Sequence, residues 1–173
     1  MDFLRRAGRL IREVPDFPIP GVLFQDAMPV FADAAMLAAV VDRVVASHPP
    51  QGFDLVAGIE ARGFLLAAPV AYAAGRGVVA IRKTGKLPGP CRAESYDLEY
   101  GVGVLELQRA ALSRGQRVLL VDDVLATGGT LGAATALIEA AGAVVAGVAV
   151  LIELSGLAGR DRLGVDVTAL LLR

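Results

Sequence analysis

The chain has 173 residues, 55% of them hydrophobic and 20% charged, with a formal net charge of −1. That length and apolar content suit one compact domain, 1–173, with its own core, and they exclude a disordered chain. The balanced charge, without a basic tail or a charge run, argues against a dedicated nucleic-acid or membrane-surface role.

Phe3, Leu4, Ala7, Leu10, Ile11 and Val14 recur at helical spacing, with Arg5, Arg9 and Arg12 on another, solvated face. The arginines break up the first twelve residues, so a signal peptide is not expected. Pro15, Pro18 and Pro20 then impose a stiff, extended segment through Gly21. Asp33 is placed to cap a second helix from Ala34 to about Ser47. His48, the one histidine, precedes two prolines and reads as a solvated side chain rather than a metal ligand or catalytic group.

Beyond it the pattern alternates. Strands are predicted over Leu55–Ile59, Val78–Ile81, Arg117–Asp122, Val144–Leu151 and Val167–Leu172. Helices are predicted over Phe64–Ala74, where Pro69 disturbs the early part, and over Thr130–Ala141. The apolar stretch from Leu131 to Ile152 is long enough to suggest a membrane span, but Glu139 and Gly142 divide it into a helix and a strand. Alternating helices and fully apolar strands argue for an α/β fold: a parallel sheet flanked by helices on both faces. Lys83 to Gly103 is rich in Gly, Pro and charge and reads as a long insertion of lid type. Within it Cys91, the one cysteine, lies between Pro90 and Arg92 and reads as incidental. A single thiol forbids an internal disulfide, and a reducing, cytoplasmic compartment is the natural expectation.

The segment from Val118 to Thr130 carries the sharpest chemistry. An apolar strand ends in Asp122 and Asp123, and Ala126-Thr127-Gly128-Gly129-Thr130 then opens a helix. Glycines let the backbone curl so that successive N–H groups converge, and the helix N-terminus adds partial positive charge. With the Thr127 and Thr130 hydroxyls, these groups describe a cradle for one phosphate. Carboxylates so near a phosphate need other partners, and two vicinal sugar hydroxyls suit them. The segment thus reads as a site for a ribose 5′-phosphate, against the plainer alternative of an ordinary strand-to-helix turn with solvated aspartates. Neither the Gly-x-x-x-x-Gly-Lys loop nor the Gly-x-Gly-x-x-Gly fingerprint is present.

This segment resembles the phosphoribosyl pyrophosphate (PRPP) signature of type I phosphoribosyltransferases. Pro15 to Asp26, Ala61-Arg62-Gly63-Phe64-Leu65, Ile81 to Pro88 and Ser95 to Gly101 narrow the likeness to the adenine phosphoribosyltransferase family, in order along nearly the whole chain. The resemblance implies purine salvage in the cytoplasm: AMP and pyrophosphate formed from adenine and PRPP, with Mg²⁺ acting mainly through PRPP and water rather than through protein ligands, in a homodimer with no nucleic-acid or membrane partner. It implies a small N-terminal hood over the base within 1–33 and a flexible lid at 83–103. It assigns pyrophosphate binding to Glu60, Ala61, Arg62, Arg82, Lys83 and Lys86, with a non-proline cis peptide at Glu60–Ala61 and with Arg82 acting from the partner subunit. It assigns the adenine to Leu23, Phe24, Gln25 and Leu154, with Phe24 stacking and main-chain groups near Leu23 and Gln25 reading the base. Glu99 is assigned proton handling at the base, and Tyr96 and Tyr100 belong to the lid. On residue type alone, Arg82, Lys83 and Lys86 read as a solvated basic loop and Glu99 as a solvated acid.

The family usually carries Arg or Lys where this chain has Gln25, and Ala27 and Met28 also depart from its pattern. Two alternatives stay open. One is a 6-oxopurine (hypoxanthine or xanthine) phosphoribosyltransferase, which the hood from Phe17 to Asp26 argues against. The other is a non-catalytic PRPP-binding regulator, for which the chain has neither an extra domain nor a basic face.

Overall fold

The computed structural model describes residues 3–98 and 101–173, with side chains described for 3–96 and 102–173. Among the described residues five α-helices and nine strands run in the order α1 (Phe3–Leu10), β1 (Arg12–Pro15), β2 (Leu23–Asp26), α2 (Met28–Ala32), α3 (Ala34–Ser47), β3 (Leu55–Ile59), α4 (Arg62–Ala74), β4 (Gly77–Lys83), β5 (Cys91–Leu98), β6 (Gly101–Gln108), β7 (Arg117–Leu125), α5 (Gly129–Ala140), β8 (Val144–Glu153) and β9 (Val167–Leu172).

The first helix stops earlier than its periodicity predicts. Val14 lies not in α1 but in β1, where it pairs with Phe24 in a two-stranded antiparallel ribbon with β2. Pro15 disfavours helical backbone at the residue before it, and the ribbon supplies the backbone partners that a helix would have given. α3 begins as its cap predicts: Asp33 accepts a hydrogen bond from the Met36 N–H at 2.9 Å and two from the Arg6 guanidinium at 2.9 and 2.7 Å. α4 starts at Arg62, two residues before the predicted Phe64, and runs unbroken through Pro69 to a left-handed Gly75 (φ 65°).

The main sheet has the order β5-β6-β4-β3-β7-β8-β9. The run from β4 to β9 is parallel, as expected. The edge is not. β5 (Cys91–Leu98) and β6 (Gly101–Gln108) pair antiparallel, with β6 also antiparallel to β4, so the sheet is mixed and the described part of the predicted lid loop is largely strand. Alternating charge and glycine hid this hairpin, and its inner face explains it. Leu105 and Leu107 are fully buried, and the Tyr96 ring lies across its strand partner Gly103 so closely that a Cβ there would stand 2.6 Å from Cζ.

Strand alternation sorts the core into two layers. Leu119 and Val121 of β7 pack with Val40, Val44, Leu66 and Val70 from α3 and α4. Val118 and Leu120 pack on the other face with Leu131, Leu137 and Ile138 of α5 and with the hairpin. His48 belongs to this interior rather than to solvent: it is half-buried, its Nδ1 lies 3.3 Å from the Val44 carbonyl oxygen, and burial lowers its pKa. No described helix is long and apolar enough to cross a membrane.

Candidate active site

β3 and β7 are parallel neighbours whose following helices lead in opposite directions: α4 returns to β4 on one side, and α5 to β8 on the other. Such a switch point leaves a crevice at the carboxyl ends of the two strands, where open α/β sheets bind ligands. The turn after β3 brings Glu60, Ala61 and Arg62 to it. The end of β7 brings Asp122 and Asp123, and the loop beyond brings Ala126 to Thr130.

β7 runs on to Leu125, so the acidic pair lies within the strand rather than after it. Both carboxylates are buried, Asp122 at 8% and Asp123 at 4% residue exposure. Asp122 Oδ1 accepts the Asp123 N–H at 2.9 Å. Arg62 Nε stands 2.8 Å from Asp123 Oδ2, yet that oxygen accepts no aligned hydrogen bond. Burial raises the pKa of Asp122 well above the usual carboxylate range, and the neighbouring Asp123 charge adds to the rise. Burial also raises Asp123, against the pull of the Arg62 guanidinium. The two acids are buried together beside the Arg62 guanidinium.

Gly63 explains how α4 comes so close. A Cβ there would stand 2.7 Å from Asp122 Oδ1 and 3.1 Å from the Val121 carbonyl oxygen. No side chain caps α5, and its N-cap Gly128 has φ 85°, a left-handed conformation suited to glycine. Thr127, Gly129 and Thr130 are half-buried around it. Among the described residues the first-turn N–H groups of α5 have no side-chain acceptor, and the loop enters the helix through a left-handed glycine.

The Glu60–Ala61 peptide bond is cis, as the family likeness implies. The Glu60 carboxylate is held by Arg82 and Lys83 of its own chain. It accepts from Arg82 Nε (3.2 Å) and Nη2 (3.3 Å) and from the Lys83 N–H (3.0 Å). Burial alone would raise its pKa, but Arg82 and the Lys83 amide together lower it. Arg82 also donates to the Lys86 carbonyl at 3.0 Å, while the Lys83 and Lys86 side chains are exposed.

On the hood, Phe24 meets Phe17 edge-on at 5.0 Å, and the Arg62 guanidinium carbon lies 4.6 Å above the Phe24 ring. Arg62 thus joins the predicted base-stacking ring to the predicted ribose acid, a role its sequence position did not reveal. Leu23 is exposed, and the Gln25 side chain is buried with Oε1 unpartnered. Strand alternation directs Gln25 away from the face that carries Phe24. Leu154 is half-buried at the end of β8, its N–H bonded to the Leu125 carbonyl at 2.9 Å. Tyr96 packs within the hairpin, whereas Glu99 and Tyr100 lie outside the described residues.

A phosphoribosyl transferase domain model matches residues 25–168. The chain is 58% identical to the adenine phosphoribosyltransferase of Clavibacter michiganensis, over 94% of its own length and 92% of that protein's. It is 56% identical to that of Corynebacterium diphtheriae, over 88% and 83%. The solved adenine phosphoribosyltransferase of Thermoanaerobacter pseudethanolicus superposes with a TM-score of 0.95 at 43% identity, covering 98% of this chain and 99% of that one. The Saccharomyces cerevisiae enzyme, solved with adenine and an imino-altritol bisphosphate, gives 0.91 at 35% identity over 97% and 98%. With the switch-point crevice, the buried acidic pair and the glycine-led helix on one sheet edge, this chain belongs to the adenine phosphoribosyltransferase family.

Proposed function

We propose that the chain transfers the 5-phosphoribosyl group of PRPP to adenine, giving AMP and pyrophosphate. The observation that carries this reading is the meeting, at one sheet edge, of a buried acidic pair, ion-paired to Arg62, and a helix start that opens on the left-handed Gly128. The α5 amides and the Thr127 and Thr130 hydroxyls take the 5′-phosphate. Asp122 and Asp123 accept hydrogen bonds from the ribose diol. Arg62 and the main chain of the Glu60–Ala61 turn face the pyrophosphate, joined by Lys83, Lys86 and, from a second subunit, Arg82. Phe24, the main chain around Leu23 and Gln25, and Leu154 enclose the base.

The base nitrogen attacks the anomeric carbon, the bond to the pyrophosphate oxygen breaks, and the nitrogen's proton leaves, with Glu99 managing that proton. The transition state carries positive charge on the sugar ring, which the neighbouring acidic pocket favours, and negative charge on the departing diphosphate, which the cations favour. Among the described residues no cluster of three His, Cys, Asp or Glu side chains could hold a metal. A diphosphate nevertheless suits Mg²⁺, which binds substrate phosphates and keeps several waters, so the ion would be held mainly through PRPP and water. When bound, it would neutralise the leaving group. We place the enzyme in the cytoplasm as a homodimer.

Turnover with adenine, hypoxanthine, guanine and xanthine tests the substrate. Adenine alone should support rapid pyrophosphate release; activity on another base without adenine would overturn the assignment. In the same assay Glu99→Ala should lower kcat by roughly 10²–10⁴-fold, the usual contribution of a general acid or base, while leaving PRPP affinity little changed.

A further inference from the structure

Behind the phosphate loop lies a second segment, 153–163, of which the reaction described above uses Leu154 alone. It leaves β8 at Glu153, passes Leu154, and turns through Ala158, whose φ of 50° is left-handed. It then sets Gly159 against the loop. The contact is backbone on backbone: a Cβ on Gly128 would stand 2.6 Å from the Gly159 carbonyl oxygen, and a Cβ on Gly159 would overlap the Ala126 carbonyl oxygen and approach the Gly128 nitrogen at 2.9 Å. An ion pair stands beside this seat. Arg160 Nε and Nη2 grip the buried Glu153 carboxylate at 3.0 and 2.5 Å, and its Nη1 donates to the Val167 carbonyl on β9 at 2.5 Å. A two-pronged guanidinium–carboxylate pair fixes direction as well as distance. The Glu153 end is buried in the strand, so the pair anchors the turn to the sheet rather than to solvent.

We propose that Glu153 and Arg160 are positioning residues for the 5′-phosphate: their ion pair presses the Gly159 backbone against Ala126–Gly128 and so sets the curl of the phosphate loop. Neither side chain touches the ligand in this reading. They act through Gly159, and because Leu154 begins the same segment, the pair also ties the base wall to the loop. The proposal rests on the assignment of that loop to the phosphate.

The test uses ribose 5-phosphate and inorganic pyrophosphate as separate probes, titrated calorimetrically into the wild-type protein and into Glu153→Gln, Arg160→Met and Gly159→Ala. The last keeps the ion pair and disturbs only the seat, so it remains informative if an unpaired buried carboxylate impairs folding of Arg160→Met. All three variants should bind ribose 5-phosphate on the order of tenfold more weakly, as expected for a displaced but intact binding group, with pyrophosphate affinity held within about twofold. Arg160→Lys, which keeps charge but loses the fork, should recover only part of the loss. Equal losses for both probes, or a lowered Tm with unchanged ribose 5-phosphate affinity, would overturn the brace. Failure of the wild-type protein itself to bind ribose 5-phosphate would remove the loop assignment, and the brace with it.

Discussion

Asp122, which we propose accepts from the ribose, is buried at a cost to stability. Its pKa is raised by burial and by the neighbouring acid, so the folded protein retains a proton that the unfolded chain, with an ordinary carboxylate near 3.8, has already released. Stability from this group is present below the unfolded value and is lost as pH rises through the folded one. Asp122→Asn removes the titration while keeping Oδ1 to accept the Asp123 N–H. The variant should therefore unfold at higher denaturant than wild type at pH 7–8, by roughly 0.5–2 kcal/mol, with the gap closing below about pH 4. The same variant should lose ribose contacts and turnover. Chemical denaturation at both pH values beside a steady-state assay checks the two halves. The nearness of the glycine loop to the acidic pair was readable from residue types at fixed spacing, because the Thr-Gly-Gly-Thr run and the acids lie within nine positions. The guanidinium of Arg62 was not readable in the same way. Its partners, Asp123 and Phe24, lie 61 and 38 positions away, and only the folded sheet edge brings them together.

At the scale of elements, the junction of α4 with β7 sets the crevice. Gly63 permits a separation that no other residue would. Gly63→Ala forces the helix start or the Asp122 carboxylate to move, an overpacking that should destabilise the protein by about 1–3 kcal/mol. Misplacement of the acidic pair should lower kcat/KM for PRPP by about tenfold or more. Unchanged kinetics in a folded Gly63→Ala protein would separate the α4 turn from the site. The buried strands β3, β7 and β8 announced themselves as continuous apolar runs, and α3 through its Asp33 cap. The β1–β2 ribbon and the β5–β6 hairpin did not. β1 is exposed along its whole length, so no alternation marks it. In the hairpin, stabilisation comes from partners across the strand pair, such as Tyr96 over Gly103, which a linear pattern does not display.

For the whole molecule, the parallel order was legible because strand–helix alternation admits few topologies. The mixed edge was hidden, since β6 joins the end of β4 through a short register, Arg82↔Glu106 and Lys83↔Leu105, followed by the Thr84 N–H to the Val104 carbonyl. The exposed apolar side chains of α4 and β4, Leu65, Tyr72 (89%) and Val78, accord with the proposed homodimer. Sedimentation equilibrium should give about twice 17.9 kDa at micromolar concentration; a mass of one chain would remove the partner's Arg82 from the site.

The position of Arg62, closed on an acid and laid over an aromatic ring, sets the zero of the binding scale. A nucleotide that uses both surfaces must trade places with a side chain that already satisfies them. The heat and affinity measured for such a ligand then report the difference between two sets of contacts, so a pocket rich in attractive groups can still release its product readily.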